Sequence, residues 1–164
     1  MKVSDVQNWT DQGLLERAYA IGREIDRRWE ARGAGRKTVR FKDCVDVFTH
    51  FHYRLWPMAQ EHLYSLALDH RYGLIEERLI SLGTVNASLI HAREVFAPAL
   101  EKRACSVILV HNHPTGLARP SSEDLGVTKR LKKVGELIGI ALLDHMIIGK
   151  YQYYSSRLDQ LFYC

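Results

Sequence analysis

An apolar run, Cys105-Ser106-Val107-Ile108-Leu109-Val110, delivers the chain directly into His111-Asn112-His113-Pro114-Thr115-Gly116. The valines and isoleucine of that run favour a buried strand. Side chains at i and i+2 of a strand share a face, so His111 and His113 at its carboxyl end point the same way. Pro114, Gly116 and Pro120 then turn the chain out of the sheet. Ser121 or Ser122 supplies an N-cap, and Leu125, Val127, Leu131, Val134, Leu137 and Ile138 recur at helical spacing, so a helix is expected from Ser122 to Ile138. Asp124 falls in its first turn.

A strand end and a helix start joined by a proline-bounded loop can bring His111, His113 and Asp124 together. Two imidazoles and a carboxylate suit Zn2+, and three protein ligands leave the fourth tetrahedral position for water, the form of a catalytic site. A structural zinc would be closed by a fourth protein ligand, usually with cysteines in the set, and the segment contains no cysteine. Ser121 and Asp124 also stand in the S-x-x-D relation of a capping-box variant. Capping accounts for those two residues and leaves two histidines on one face unexplained.

H-x-H, seven residues, then S-x-x-D resembles the JAMM motif of the JAB/MPN metalloenzyme domain, and HNHPTG with RPSSED is similar to its bacterial RadC branch. The likeness continues in LALDHRYGLI, SLGTVNASLIHAREVF and LLDHMIIG with the following YYS, in the same order, and covers roughly Val39 to Ser156. It implies an α/β fold with a mixed sheet in the cytidine-deaminase-like JAB/MPN arrangement, with flanking helices. The division expected is an N-terminal helical extension over 1–38 and a RadC-like JAB/MPN domain over 39–164.

The function the resemblance implies is that of a zinc-dependent metallohydrolase acting on a peptide or isopeptide substrate. Zn2+ would sit on His111, His113 and Asp124. Glu61 would be the general base, taking a proton from water and passing it to the leaving amine, and Ser121 would donate a hydrogen bond to the oxyanion. On the residues alone Glu61 is one acid among several, with Glu76, Glu77 and Glu94 as rivals. Its place just before the first strand, in the family's register, selects it. Nucleobase deaminases use H-x-E with P-C-x-x-C, and this chain has neither.

A second function class is a DNA-repair-associated accessory protein of the RadC type, in which the domain binds nucleic acid or a repair protein and hydrolysis is secondary. Net charge +4 and a pI near 9.0 permit contact with nucleic acid without demanding it. Typical RadC proteins carry a helix-hairpin-helix near the amino terminus, and no matching glycine hairpin occurs here. A third class, a metal-free interaction module, sits poorly with an intact ligand set.

The remaining expectations follow the chain. Leu14, Leu15, Ala18, Ile21, Ile25 and Trp29 make residues 11 to 31 an amphipathic helix, ended by Gly33 and Gly35. A second helix is expected over Phe41 to Leu55, with Val45, Phe48, Phe51 and Leu55 inward. His50 and His52 repeat the H-x-H spacing, but on a helix they diverge, and no metal is assigned to them. Strands are expected over Leu63–Asp69 and Leu74–Leu82 about a turn at Gly73, and a helix over Ile90–Lys102 with Val95, Phe96 and Leu100 inward. The strand Ile140–Gly149 carries Asp144 and His145, which either form a structural hydrogen-bonded pair or orient neighbours of the metal site. Tyr151–Ser156 is a last strand, and the aromatic tail Leu158–Cys164 is a docking or dimer contact, so a homo-oligomer is among the expectations. Three widely spaced cysteines without C-x-x-C fit a reducing compartment, and the absence of an apolar signal core or spanning run leads to the expectation of a soluble cytoplasmic protein with no membrane partner.

Overall fold

The computed structural model describes residues 39–83 and 90–163, so the helix expected over 11 to 31 lies outside the described residues. Three helices and six strands follow one another along the described chain: α1 (Cys44–Leu55), β1 (His62–Leu68), β2 (Leu74–Leu82), α2 (Ala92–Glu101), β3 (Ser106–Asn112), α3 (Ser122–Ile138), β4 (Ala141–Ile148), β5 (Gln152–Ser155) and β6 (Gln160–Tyr163). The strands form one mixed sheet in the order β2-β1-β3-β4-β5-β6. β3 and β4 run parallel, while the other neighbours are antiparallel. A parallel pair needs a crossover, which α3 supplies. This is the mixed α/β architecture expected of a JAB/MPN-like fold.

Alternation along the strands sorts the core into two layers. Leu63, Ala67, Val107, Leu109 and Leu142 pack under α2 and α3, against Val95, Phe96, Ala99, Val127 and Leu131. Leu66, Leu68, Ile108, Val110, Met146 and Ile148 meet Cys44, Val47, Phe51 and Leu55 of α1 on the opposite face. All seven residues of β3 are buried, as the unbroken apolar run requires of a strand covered on both faces.

Local chemistry sets the helix ends. Asp43 caps α1 by accepting from the Asp46 amide at 3.0 Å, and Cys44, Val47, Phe51 and Leu55 form the helix's buried stripe. Val45, expected inside, is 53% exposed instead. Leu100 of α2 is likewise turned outward, its expected place taken by Pro98 and Ala99. Gly139 ends α3 at φ 73°, a left-handed conformation in which glycine carries no Cβ penalty. The aromatic tail docks on its own sheet as β6, where Phe162 stacks on Tyr153 at 4.9 Å between ring centres. Among the described residues no helix is long and apolar enough to cross a membrane.

One irregularity positions the site. Val107 pairs with Leu142 but Ile108 pairs with Asp144, so Leu143 is an extra residue in β4. Such a bulge re-aims the side chains that follow it. His145 thereby aligns with Leu109, on the α3 face, where strict alternation from Leu142 would have turned it towards α1.

Candidate metal centre

His111, next to last in β3, faces α3, and the histidine loop returns to open α3 beside it. Ser121 is the N-cap: its Oγ accepts from the Asp124 amide at 3.1 Å, and Asp124 Oδ2 accepts from the Ser121 amide at 2.8 Å. This reciprocal capping box selects Ser121 over Ser122 and holds the Asp124 carboxylate at the mouth of the helix.

Among the described residues, one group of His, Cys, Asp or Glu could share an ion: His111, His113 and Asp124, with ligand atoms all within 4.8 Å of one another. The Nε2 atoms of the two histidines are 3.0 Å apart. Asp124 Oδ1 lies 3.3 Å from His111 Nε2, and Oδ2 lies 3.4 Å from His113 Nε2. Ligands about 2.0–2.1 Å from a tetrahedral zinc stand about 3.3 Å from each other, so the triangle has the size such an ion needs.

Proton placement supports the fit. Thr128 donates its single hydroxyl proton to the Asp124 carbonyl at 2.6 Å, and a carbonyl can only accept. The 2.6 Å contact between Thr128 Oγ1 and His145 Nδ1 is therefore donated by the ring, which leaves His145 Nε2 as an acceptor. His111 Nδ1, 2.9 Å away, must donate to it. His111 Nε2 is thus a lone pair facing Asp124 and His113. On His113 the Nδ1 donates to the Leu117 carbonyl at 2.9 Å, so its Nε2 also faces the centre.

Electrostatics agree. Burial, reinforced by His145, drives His111 well below an ordinary histidine and keeps it neutral. Burial also lowers His145 to about 4, against the opposing charges of Asp124 and Asp144. For Asp124, burial pushes the carboxyl upward, but the His113 hydrogen bond, the His111 ring and Ser121 outweigh it and hold the group well below the carboxylate range. For His113, burial acts downward and is outweighed by hydrogen bonds to Asp124 and the Leu117 carbonyl and by the charges of Asp124 and Glu61, so it is raised. A proton on His113 Nε2 and a divalent cation are alternative ways of offsetting the same carboxylate.

Glu61 stands half-buried immediately before β1, near enough for its charge to act on His113. Its carbonyl accepts from the Gly83 amide at 2.9 Å. The rival acids lie elsewhere: Glu77 pairs with Arg54 and His50, Glu76 with Arg78, and Glu94 with Arg93. His50 and His52 diverge, one to Glu77 at 3.1 Å and the other to the Lys150 carbonyl at 2.7 Å.

The Asp144-His145 pair divides. Asp144 turns to the end of β5 and the connection after it, accepting from the Ser155 and Ser156 hydroxyls and the Arg157 amide, while the His145 ring turns to His111. Thr128 had no signal in the sequence beyond its place one turn after Asp124.

Residues 41–161 match the family model of the RadC-like JAB domain. The chain belongs to the RadC-like JAB domain family. It is 47% identical over 116 residues to a UPF0758 protein of Pelobacter propionicus, covering 71% of this chain and 51% of the relative. A UPF0758 protein of Syntrophotalea carbinolica is 45% identical over 132 residues, 80% of this chain and 58% of the relative. One from Finegoldia magna is 43% identical over 141 residues, 86% of this chain and 63% of its own length. The chain thus spans between half and two thirds of these curated relatives.

Proposed function

We propose that this RadC-like JAB domain is a zinc-dependent hydrolase that cuts an amide bond of the peptide or isopeptide kind. The observation that carries the reading is the convergence of two imidazole Nε2 atoms and one carboxylate on edges of 3.0 to 3.4 Å. Imidazole and carboxylate donors, three in number and without thiolates, suit zinc in a site that keeps one position for water.

Bound zinc supplies a Lewis acid for the substrate carbonyl and lowers the pKa of water. The rest is the work of the chain. Glu61 takes the proton released by the attacking water and delivers it to the leaving amine. His145 and Thr128 hold His111 in the tautomer that presents Nε2. Ser121 Oγ donates to Asp124 Oδ2 at 2.6 Å, so stabilising an oxyanion requires its one proton to turn from that oxygen to the substrate's.

The test pairs elemental analysis with hydrolysis. Wild type is expected to carry one equivalent of zinc that His113→Ala loses. Zinc-loaded protein should cleave fluorogenic peptides or isopeptide-linked amines, and Glu61→Gln should retain zinc without cleaving. Equal zinc in wild type and His113→Ala, or full zinc with no cleavage of either substrate class, overturns the proposal.

A further inference from the structure

Between the two histidines, Asn112 occupies the position that strand alternation turns to the other face of β3. Its side chain is fully buried, so each of its polar groups must find a partner. Oδ1 accepts from the His62 amide at 2.8 Å, and Nδ2 donates to the carbonyls of Gln60 at 3.1 Å and Met58 at 3.4 Å. All three partners are backbone groups: Met58 and Gln60 lie in the short connection between α1 and β1, His62 opens β1, and Gln60 and His62 bracket Glu61. The Glu61 carbonyl is itself taken by Gly83.

We propose that Asn112 is a positioning residue for Glu61: its amide ties the segment carrying that carboxylate to the strand carrying the two histidines. The inference rests on the hydrolase reading of Glu61 and extends it. One acceptor and two donors are needed at one buried point. A carboxylate of the same shape offers only acceptors, and an aliphatic side chain offers neither. β1 pairs with β3 from Leu63 opposite His111 onward, so the ladder sets the strand but stops short of Glu61. Asn112 continues the attachment past the end of the ladder, and His111-Asn112-His113 thereby serves the metal with one face and the general base with the other.

Zinc alone is the probe, its affinity measured by chelator competition in the full chain. Glu61→Gln removes a nearby negative charge and is expected to weaken zinc about tenfold. Asn112→Ala is expected to weaken it about three- to tenfold and to have no further effect in the Glu61→Gln background, the sign of two residues acting as one. Amide exchange at His62 should accelerate in Asn112→Ala while the rest of β1 stays protected. Asn112→Asp, isosteric and without the two donors, gives the same reading if the alanine variant does not fold.

Equal weakening in both backgrounds assigns Asn112 to the histidines instead and overturns the proposal. So does unchanged exchange at His62, or a Glu61→Gln variant that binds zinc as wild type does. Wild type that binds no zinc overturns the hydrolase reading, whereas exchange at His62 still reports whether Asn112 anchors the Glu61 segment.

Discussion

His111 Nδ1 and His145 Nε2 lie 2.9 Å apart and join the end of β3 to the middle of the parallel strand β4. Partners of this kind fix ring orientation and tautomer, and their loss costs about 10- to 100-fold in metal affinity. His145→Phe and Thr128→Val should each weaken zinc within that range by chelator competition, with the triad itself untouched. His145→Gln, which keeps an acceptor amide in reach, should recover part of the loss. Wild-type affinity in both His145→Phe and Thr128→Val would mean that β3 alone orients His111.

That contact joins residues 34 apart in the chain, beyond the reach of local rules. His111, His113, Ser121 and Asp124 were legible because strand alternation, a proline-bounded turn and a helix cap are local rules, each confined to a few residues. Strand and helix order was legible for the same reason, except that the tail expected after Ser156 forms a sixth strand, Gln160–Tyr163, and the first helix begins at Cys44, not at Phe41. His145 was placed in the right strand, but its face depends on the extra residue Leu143, and nothing in LLDHMIIG announces a bulge. Asn112 and Thr128 meet partners 50 and 17 residues away, and pairings at that range are written in the register of the sheet. Val45 lies outside because Cys44, Val47, Phe51 and Leu55 form the inward stripe, and Val45, one residue on, stands about 100° round the helix from Cys44.

Zinc affinity should fall with acid, and His113 sets where. A metal-ligating imidazole must be deprotonated, and His113 is raised above an ordinary histidine. Binding is therefore unhindered above that raised pKa and loses about tenfold per pH unit below it, from competition with one proton. His111 is lowered by burial and Asp124 is held well below the carboxylate range, so neither adds to the slope near neutrality. Chelator competition should show the slope rise towards one as the pH falls, with the break above an ordinary histidine's range. A flat profile would place His113 outside the ligand set.

Gly149→Ala should disturb the histidine loop from outside it. A Cβ at Gly149 would stand 2.5 Å from the Gly116 carbonyl oxygen and 3.1 Å from both the Ala118 amide and the Gln152 carbonyl oxygen. All three are backbone atoms, and the Gly116 carbonyl already accepts from Lys150 at 2.9 Å. The loop must move, at a cost of about 1–3 kcal/mol, and with it the Leu117 carbonyl that orients His113. Denaturant unfolding should register the loss, and zinc affinity should fall with it. Stability equal to wild type would show that the loop yields without strain.

Ser121→Ala separates two roles of one hydroxyl. As N-cap, Ser121 accepts from the Asp124 amide, and removing such a cap costs about 0.5–2 kcal/mol. Asp124 Oδ2 keeps its 2.8 Å bond from the Ser121 backbone amide in the variant, so the carboxylate stays near its place and zinc should be retained. As oxyanion donor, the same hydroxyl should be worth about 100- to 1000-fold in turnover. Ser121→Thr keeps the hydroxyl and should restore both. The decisive measurement is the rate per bound zinc: unchanged turnover in the zinc-loaded fraction of Ser121→Ala would reduce Ser121 to a helix cap and leave oxyanion stabilisation to another group.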